Sequence, residues 1–388
     1  MDKITLQATL EGYFTWFHRH PELGLAEHKT TARIRELLLG AGVEILDTPL
    51  KTGLIAQIRG RPGGPVTALR ADIDALPIAE ATGLDYASEH PGCMHACGHD
   101  FHLTALLGAA LLLREEAETL AGTVKLLFQP AEEGAGGAQA VLDTGFLDDV
   151  EEIYGLHVMA TLAPGVIALS PGATYATVGR FRILVKGRGG HAAEPHHSKD
   201  PIVAAARIIN QAQTIISRGT SPFDPAVLSI TRVLAGSTWN VIPPEALLEG
   251  TFRAFSPEKL THIAESLGKI CRGLEESDGI AIDYTWRIVT YSTNNDPVLT
   301  EWVAETAKKL DLSVVPYPPT MGGEDFALYQ QRIPGVFLNI GVGSPQELHN
   351  PGFIANPAPL ATAAELLAAL GKGSVARLAQ NPPSLGSG

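Results

Sequence analysis

Between residues 29 and 128 the chain alternates apolar runs of strand length with longer stretches of helical spacing, and that alternation most restricts its fold. Residues 29–39 place apolar side chains at three- and four-residue intervals and stop at Gly40 and Gly42, the pattern of an amphipathic helix. Residues 54–59 and 66–72 read as strands, split by the turn-rich 60–65. Residues 101–120 return to helical spacing, and Gly122 leads into an apolar strand at 123–128. Strands that alternate with helices are joined by crossovers, which predicts an α/β domain with a mostly parallel sheet and helices on both faces.

The middle third is organised differently. Residues 180–186 alternate as a strand, 201–217 form an apolar-striped helix, and 226–233 and 246–255 are further strands. Ser256-Pro257-Glu258 opens a second helix with an N-cap serine, a proline in the first turn and an early acid, and 280–289 closes the set as a strand. The order βαββαβ matches the ferredoxin-like split βαβ unit. The expected organisation is a catalytic α/β domain in two pieces, 1–175 and 291–388, interrupted by an inserted α+β domain at 176–290. Single cores rarely grow beyond ~250–300 residues, so 388 residues suit two domains. The Pro-, Ser- and Gly-rich stretch after Gly371 is expected to fray.

Composition narrows the partners. A net charge of −13 argues against nucleic acid and anionic membranes, which need a basic surface. No apolar run reaches the ~20 residues of a membrane span, and Met1–Leu10 has neither a basic start nor an apolar core. Cys93, Cys97 and Cys271 make an odd count with no disulfide framework, so the expected compartment is the cytoplasm.

The chemistry-bearing residues cluster in the α/β portion. Met94-His95-Ala96-Cys97-Gly98-His99-Asp100 lies just before a helix. A thiolate and an imidazole two residues apart suit borderline metals such as zinc, cobalt and nickel. The helix N-terminus is expected to help hold Cys97 as thiolate. The plainer alternative is a buried structural cysteine beside a solvated histidine. Gln129-Pro130-Ala131-Glu132-Glu133-Gly134 follows the strand at 123–128, where open α/β sheets place their sites. Neighbouring residues of an extended segment point apart, so one acid can bind metal while the other faces substrate; a lone acidic pair is more often a solvated turn. His157 and His349 also follow strand-like runs, at 153–154 and 336–340. Cys97, His99, Glu133, His157 and His349 are one donor more than a closed tetrahedral zinc site needs, and they suit two metals that share one ligand.

The motifs resemble those of the M20 metallopeptidase family, in its aminoacylase, hippurate hydrolase and indoleacetyl-amino-acid hydrolase branch. The resemblance runs from His20-Pro21-Glu22-Leu23 through Arg70-Ala71-Asp72-Ile73-Asp74-Ala75-Leu76-Pro77, the cysteine–histidine run, the Glu-Glu run and Gly155-Leu156-His157. It continues through Gly189-Gly190-His191-Ala192-Ala193, Asn240-Val241-Ile242-Pro243, Gly250-Thr251-Phe252-Arg253 and Met321-Gly322-Gly323-Glu324-Asp325-Phe326 to Leu348-His349. It implies two divalent metals (manganese, zinc, cobalt or nickel) bridged by Cys97, with His99 and His157 completing one site and Glu133 and His349 the other.

By the same resemblance Glu132 is the general base. Asp74 is an acid behind the ligands, and His191 of the inserted lid domain is an oxyanion donor that commonly reaches the partner subunit's site. Asn240 and Arg253 match residues that hold the substrate carboxylate or line its pocket, and the inserted domain is expected to form a homodimer. Asp72 stands where the wider family has a metal-binding histidine, so its own role is open. The run Asp100-Phe101-His102-Leu103-Thr104 departs from the branch's usual Asp-Gly-His-Thr. The implied activity is hydrolysis of the amide bond of a small N-acylated amino acid by a metal-bridged water. A dipeptidase or carboxypeptidase of the same family, another C–N hydrolase such as an aromatic deaminase, and a metal-dependent binding protein are the alternatives. A cysteine protease built on Cys97 and His99 lacks a recognisable orienting partner.

Overall fold

A computed structural model describes residues 1–134 and 136–380. The chain divides into two compact units, the first made of Met1–Gly172, Asn294–Pro318 and Leu328 onward, the second of Ala173–Thr293 and Pro319–Ala327.

Among the described residues the first unit carries an eight-stranded sheet. Its order is Glu44–Ile45, Leu54–Arg59, Thr123–Gln129, Val66–Asp72, Glu152–Met159, Gly335–Gly341, Ile167–Ala168 and Val314–Val315. The centre is parallel: Val66–Asp72 runs with both Thr123–Gln129 and Glu152–Met159, and Glu152–Met159 runs with Gly335–Gly341. Antiparallel pairs nearer the edges, such as Leu54–Arg59 on Thr123–Gln129, make the sheet mixed. The central strands are buried along nearly all their length, as in a sheet covered on both faces. Their carboxyl ends share one edge of the sheet, and the candidate ligands gather there.

The helix His99–Glu115 packs against Leu360–Gln380 and Lys3–Arg19. Gly108 permits this approach: a Cβ there would lie 2.6 Å from the Ala364 Cβ and 2.8 Å from Leu10 Cδ1. As far as Gln380, the expected fraying after Gly371 does not occur. Leu360–Gln380 continues as a helix because its own Ser374 and Val375 are buried against the rest of the unit; residues 381–388 lie outside the described residues. No described helix is long and apolar enough to cross a membrane.

His18 ties two of these helices together. Its Nδ1 is 2.6 Å from Asp100 Oδ2 and its Nε2 is 3.2 Å from Glu80 Oε1. Burial disfavours its charge, but the two carboxylates outweigh burial and raise its pKa to about 9. A raised pKa in the fold contributes stability that is complete below the ordinary value of 6.5 and is lost as pH climbs towards 9. At ~1.4 kcal/mol per unit the ceiling is about 3 kcal/mol. Urea midpoints should fall between pH 6.5 and 9.5, and His18→Gln should flatten that decline. An equally steep decline in the variant would remove His18 as its source.

The second unit orders its main sheet Ala226–Ala235, Glu245–Ala254, Thr177–Lys186, Ala281–Thr290, all antiparallel. With the helices Pro201–Ser217 and Pro257–Asp278 the chain order is βαββαβ. Both helices start where the sequence stops them from starting elsewhere: a proline follows the cap, and the Asp200 and Ser256 side chains accept from Ile202 and Lys259 backbone N–H groups. Alternate residues of Thr177–Lys186 are buried, and Phe181 stacks on Phe252 at 4.7 Å beneath the helices. The segment Pro319–Ala327 joins this unit through the Tyr175–Thr320 bridge and an Ala176 N–H that donates to Gly322 O at 2.9 Å.

Candidate metal centre

In the first unit Cys97 belongs to two groups of donors. One atom each from Cys97, His99 and His157 lies within 4.8 Å of the others, and the same holds for Cys97, Glu133 and His349. Glu132 is within the same reach of His99 and Glu133. All five expected ligands and Glu132 therefore meet at one edge of the sheet.

Local structure explains the convergence. Gly98 caps the helix at φ 81°, a left-handed turn that sets His99 at the first helical position. Any Cβ on Gly98 would lie 2.5 Å from Val158 Cγ2. His157 sits near the end of Glu152–Met159. Glu132 and Glu133 follow Ala131, a non-glycine at φ 53°. His349 is also left-handed, at φ 62°, and its N–H donates to Ala96 O at 2.8 Å, which fastens its loop to the cysteine run.

The two buried histidines among the expected ligands, His99 and His157, each turn one nitrogen towards the centre. His99 Nδ1 is 3.1 Å from Asp74 Oδ1, and its Nε2 is buried without a hydrogen-bond partner. His157 Nδ1 donates to Val158 O at 2.7 Å, and its Nε2 is 3.4 Å from Cys97 Sγ. Anchoring one imidazole nitrogen on a carboxylate or carbonyl is how metal-binding histidines are held. Asp74 serves both groups, because its Oδ2 also accepts the Glu133 N–H at 3.0 Å. The partly exposed His349 places Nε2 3.2 Å from Glu133 Oε1.

The charges suit a cation. Burial pushes the Cys97 thiol up, far more than its neighbours pull it down. Desolvation therefore works against the help expected from the helix terminus, and a cation beside the sulfur would favour the thiolate. Burial lowers His157 to about 3, leaving it neutral with a free lone pair. His99 is opposed by burial but held well above the usual imidazole range by Asp72 and Asp74. Glu133 is lowered despite burial, through His349 and His99. A thiol, three imidazoles and a carboxylate, several with an unpartnered or mutually facing atom, fit borderline divalent metals.

The other expected residues lie in the second unit. His191 and Val241 pair across a two-stranded ribbon, and the Ala192 N–H donates to Asn240 O at 3.1 Å, so His191 and Asn240 are neighbours. His191 is exposed, and its Nδ1 accepts from Ala193 N–H at 3.0 Å, which leaves the proton on Nε2. Arg253 stands on Glu245–Ala254, with Nη1 donating to Met321 O at 2.8 Å.

Two supports were not anticipated. Glu27 is fully buried, and its Oε1 accepts the Ala131 N–H at 2.8 Å, bracing the strained residue before Glu132. Arg70, Asp72 and His102 form a buried chain behind the ligands. The alternation of Arg70 and Asp72 at the end of one strand was its signal, since polar side chains on one face of a central strand need partners.

The model of peptidase family M20/M25/M40 matches residues 68–372. The chain is 45% identical over 354 residues to an N-acetylcysteine deacetylase of Bacillus subtilis, covering 91% of this chain and 93% of that protein. It is 37% identical over 387 residues to an IAA-amino acid hydrolase of Arabidopsis thaliana, covering 95% and 88%. A Bacillus subtilis structure described as a dinuclear metal binding peptidase from the M20 family superposes with a TM-score of 0.87 at 41% identity, covering 96% of this chain and 99% of that one.

Proposed function

This chain belongs to peptidase family M20/M25/M40 and is a hydrolase of its amidohydrolase branch, and we propose that it deacylates small N-acylated amino acids. The observation that carries the reading is the position of Cys97 in both donor groups, with Glu132 beside them. Cys97, His99 and His157 would hold one divalent ion, and Cys97, Glu133 and His349 would hold the other. Two such ions, of manganese, zinc, cobalt or nickel, supply Lewis acidity to the scissile carbonyl and acidify water, worth several kcal/mol.

The chain's own groups do the rest. Glu132 takes the proton of the attacking water and delivers it to the leaving amine, so that the amide C–N bond breaks with a neutral amine departing. Asp74 fixes His99 and the Glu133 backbone together. His191 offers an Nε2–H to the oxyanion, the tautomer that its bond from Ala193 supports. Arg253, with Asn240, holds the substrate carboxylate and so orients the bond to be cleaved. The inserted domain serves as lid and homodimer surface; the outer strand Ala226–Ala235, with Val233 and Leu234 exposed, supports pairing with a second copy.

The test is amine release from N-acetyl, N-benzoyl and indoleacetyl amino acids, beside dipeptides with a free amino terminus, each with manganese, cobalt or zinc. The expected result is metal-dependent release with kcat/KM at least about tenfold higher on the best N-acyl substrate than on any dipeptide, a ~1.4 kcal/mol preference. A preference for dipeptides would make the chain a dipeptidase. Activity that survives exhaustive chelation would end the metal mechanism.

A further inference from the structure

We propose that His102 is a positioning residue that holds His157 in place from behind, with its tautomer set by Asp72 and Arg70. The inference rests on the metal reading above, and it assigns a role to Asp72 that the sequence left open.

The sheet is interrupted beside His157. Val66–Asp72 pairs with Glu152–Met159 only from Thr67↔Glu152 to Arg70↔Gly155. Beyond Gly155 the strand that carries His157 has lost its neighbour on that side, and the buried Val158 N–H is left without a strand partner there. His102 takes the vacated place: the Val158 N–H donates to His102 Nε2 at 2.8 Å. An acceptor at Nε2 requires the proton on Nδ1, and Nδ1 is 2.6 Å from Asp72 Oδ1. The other oxygen of Asp72 accepts from Arg70 Nη1 at 2.6 Å. Arg70, Asp72 and His102 are buried, so water does not compete for these bonds.

The geometry separates holding from ligation. Asp72, His99 and His102 also offer donor atoms within 4.8 Å of one another, which by itself could pass for a third metal group. Both His102 nitrogens are already hydrogen-bonded, however, and Asp72 already bonds Arg70 and His102. The His102 ring lies 4.5 Å from the His157 ring, so it fixes the ligand by ring contact as well as through the Val158 peptide. His99 opens the same helix three residues earlier. One helical turn therefore carries a ligand to one ion and, on the same face, the brace for the next ligand.

The test is cobalt(II) titration of the metal-free protein, followed through the thiolate and visible cobalt bands, with bound metal counted after dialysis. Wild type is expected to bind two equivalents. His102→Leu should weaken one of them about 10–100-fold, the usual effect of losing a residue behind a ligand, and leave the other unchanged. His102→Gln should bind both as wild type does, because its amide oxygen accepts from Val158 and its NH₂ donates to Asp72. If His102→Leu does not fold, Asp72→Asn carries the test: its NH₂ opposes the His102 Nδ1–H, and the same equivalent should weaken. A folded His102→Leu or Asp72→Asn that binds both metals like wild type overturns the inference alone. Glutamine that weakens binding as much as leucine makes the imidazole itself a ligand, which also overturns it. Wild type that binds no cobalt overturns the metal reading and the inference with it.

Discussion

Glu132→Gln is expected to lose about 10²–10⁴ in kcat while keeping both metals. The neighbouring Glu133→Gln should lose activity because it loses metal. The two side chains are adjacent and nearly isosteric variants are compared, so the contrast isolates role. Glu133 belongs to the group with Cys97 and His349, and its backbone N–H is fixed on Asp74. Glu132 lies within reach of His99 and Glu133 but not in either group that contains Cys97, and it is half-buried at the turn that Glu27 and Ala131 hold. An amide at position 132 cannot accept a proton from water, yet it preserves size and hydrogen bonding. The measurements are kcat and metal per chain for each variant. Equal metal loss in the two would make Glu132 a ligand and send the search for the base elsewhere.

Part of this candidate centre was legible in the sequence because its residues adjoin recognisable elements: Glu132 and Glu133 follow an apolar strand, and Cys97 and His99 stand at the start of a helix. Residues 54–59 and 66–72 are apolar enough to be read with their true bounds, and Ser256-Pro257 marks a helix start by chemistry alone. The strand Glu152–Met159 was visible only at Ile153 and Tyr154, since Gly155 and His157 interrupt its pattern. The first helix, Lys3–Arg19, went unread although Leu6, Leu10, Phe14 and Phe17 form its buried stripe.

The supports were harder. Glu27 and Ala131 are far apart in the chain, and a left-handed alanine has no signature in composition. His102 looked like part of a departure from the branch's pattern, whereas its partners, Asp72 and the Val158 N–H, come from two other strands. Ligand type is encoded locally; what braces a ligand is a property of three-dimensional neighbours.

Cys97→Ala should be the most damaging single change at the metals, because the thiol is the one side chain common to both donor groups. Removing His349 touches only the group with Glu133, and His349 is also the most exposed of the five. The expected order is therefore two metals in wild type, one retained in His349→Ala, and both weakened in Cys97→Ala. A two-metal centre contributes several kcal/mol to the transition state. At ~1.4 kcal/mol per tenfold, its loss lowers kcat/KM by about 10²–10³ or more. Folding should survive, since Cys97 is small and alanine leaves a space next to donors that water can fill. Metal per chain, thermal midpoints of the metal-free proteins and kcat/KM at saturating manganese or cobalt measure the three quantities. If Cys97→Ala kept one tight metal, as His349→Ala is expected to do, the thiol would belong to one site only. The two ions would then have to share a different group, with Glu133 next in line because it lies within reach of both His99 and His349.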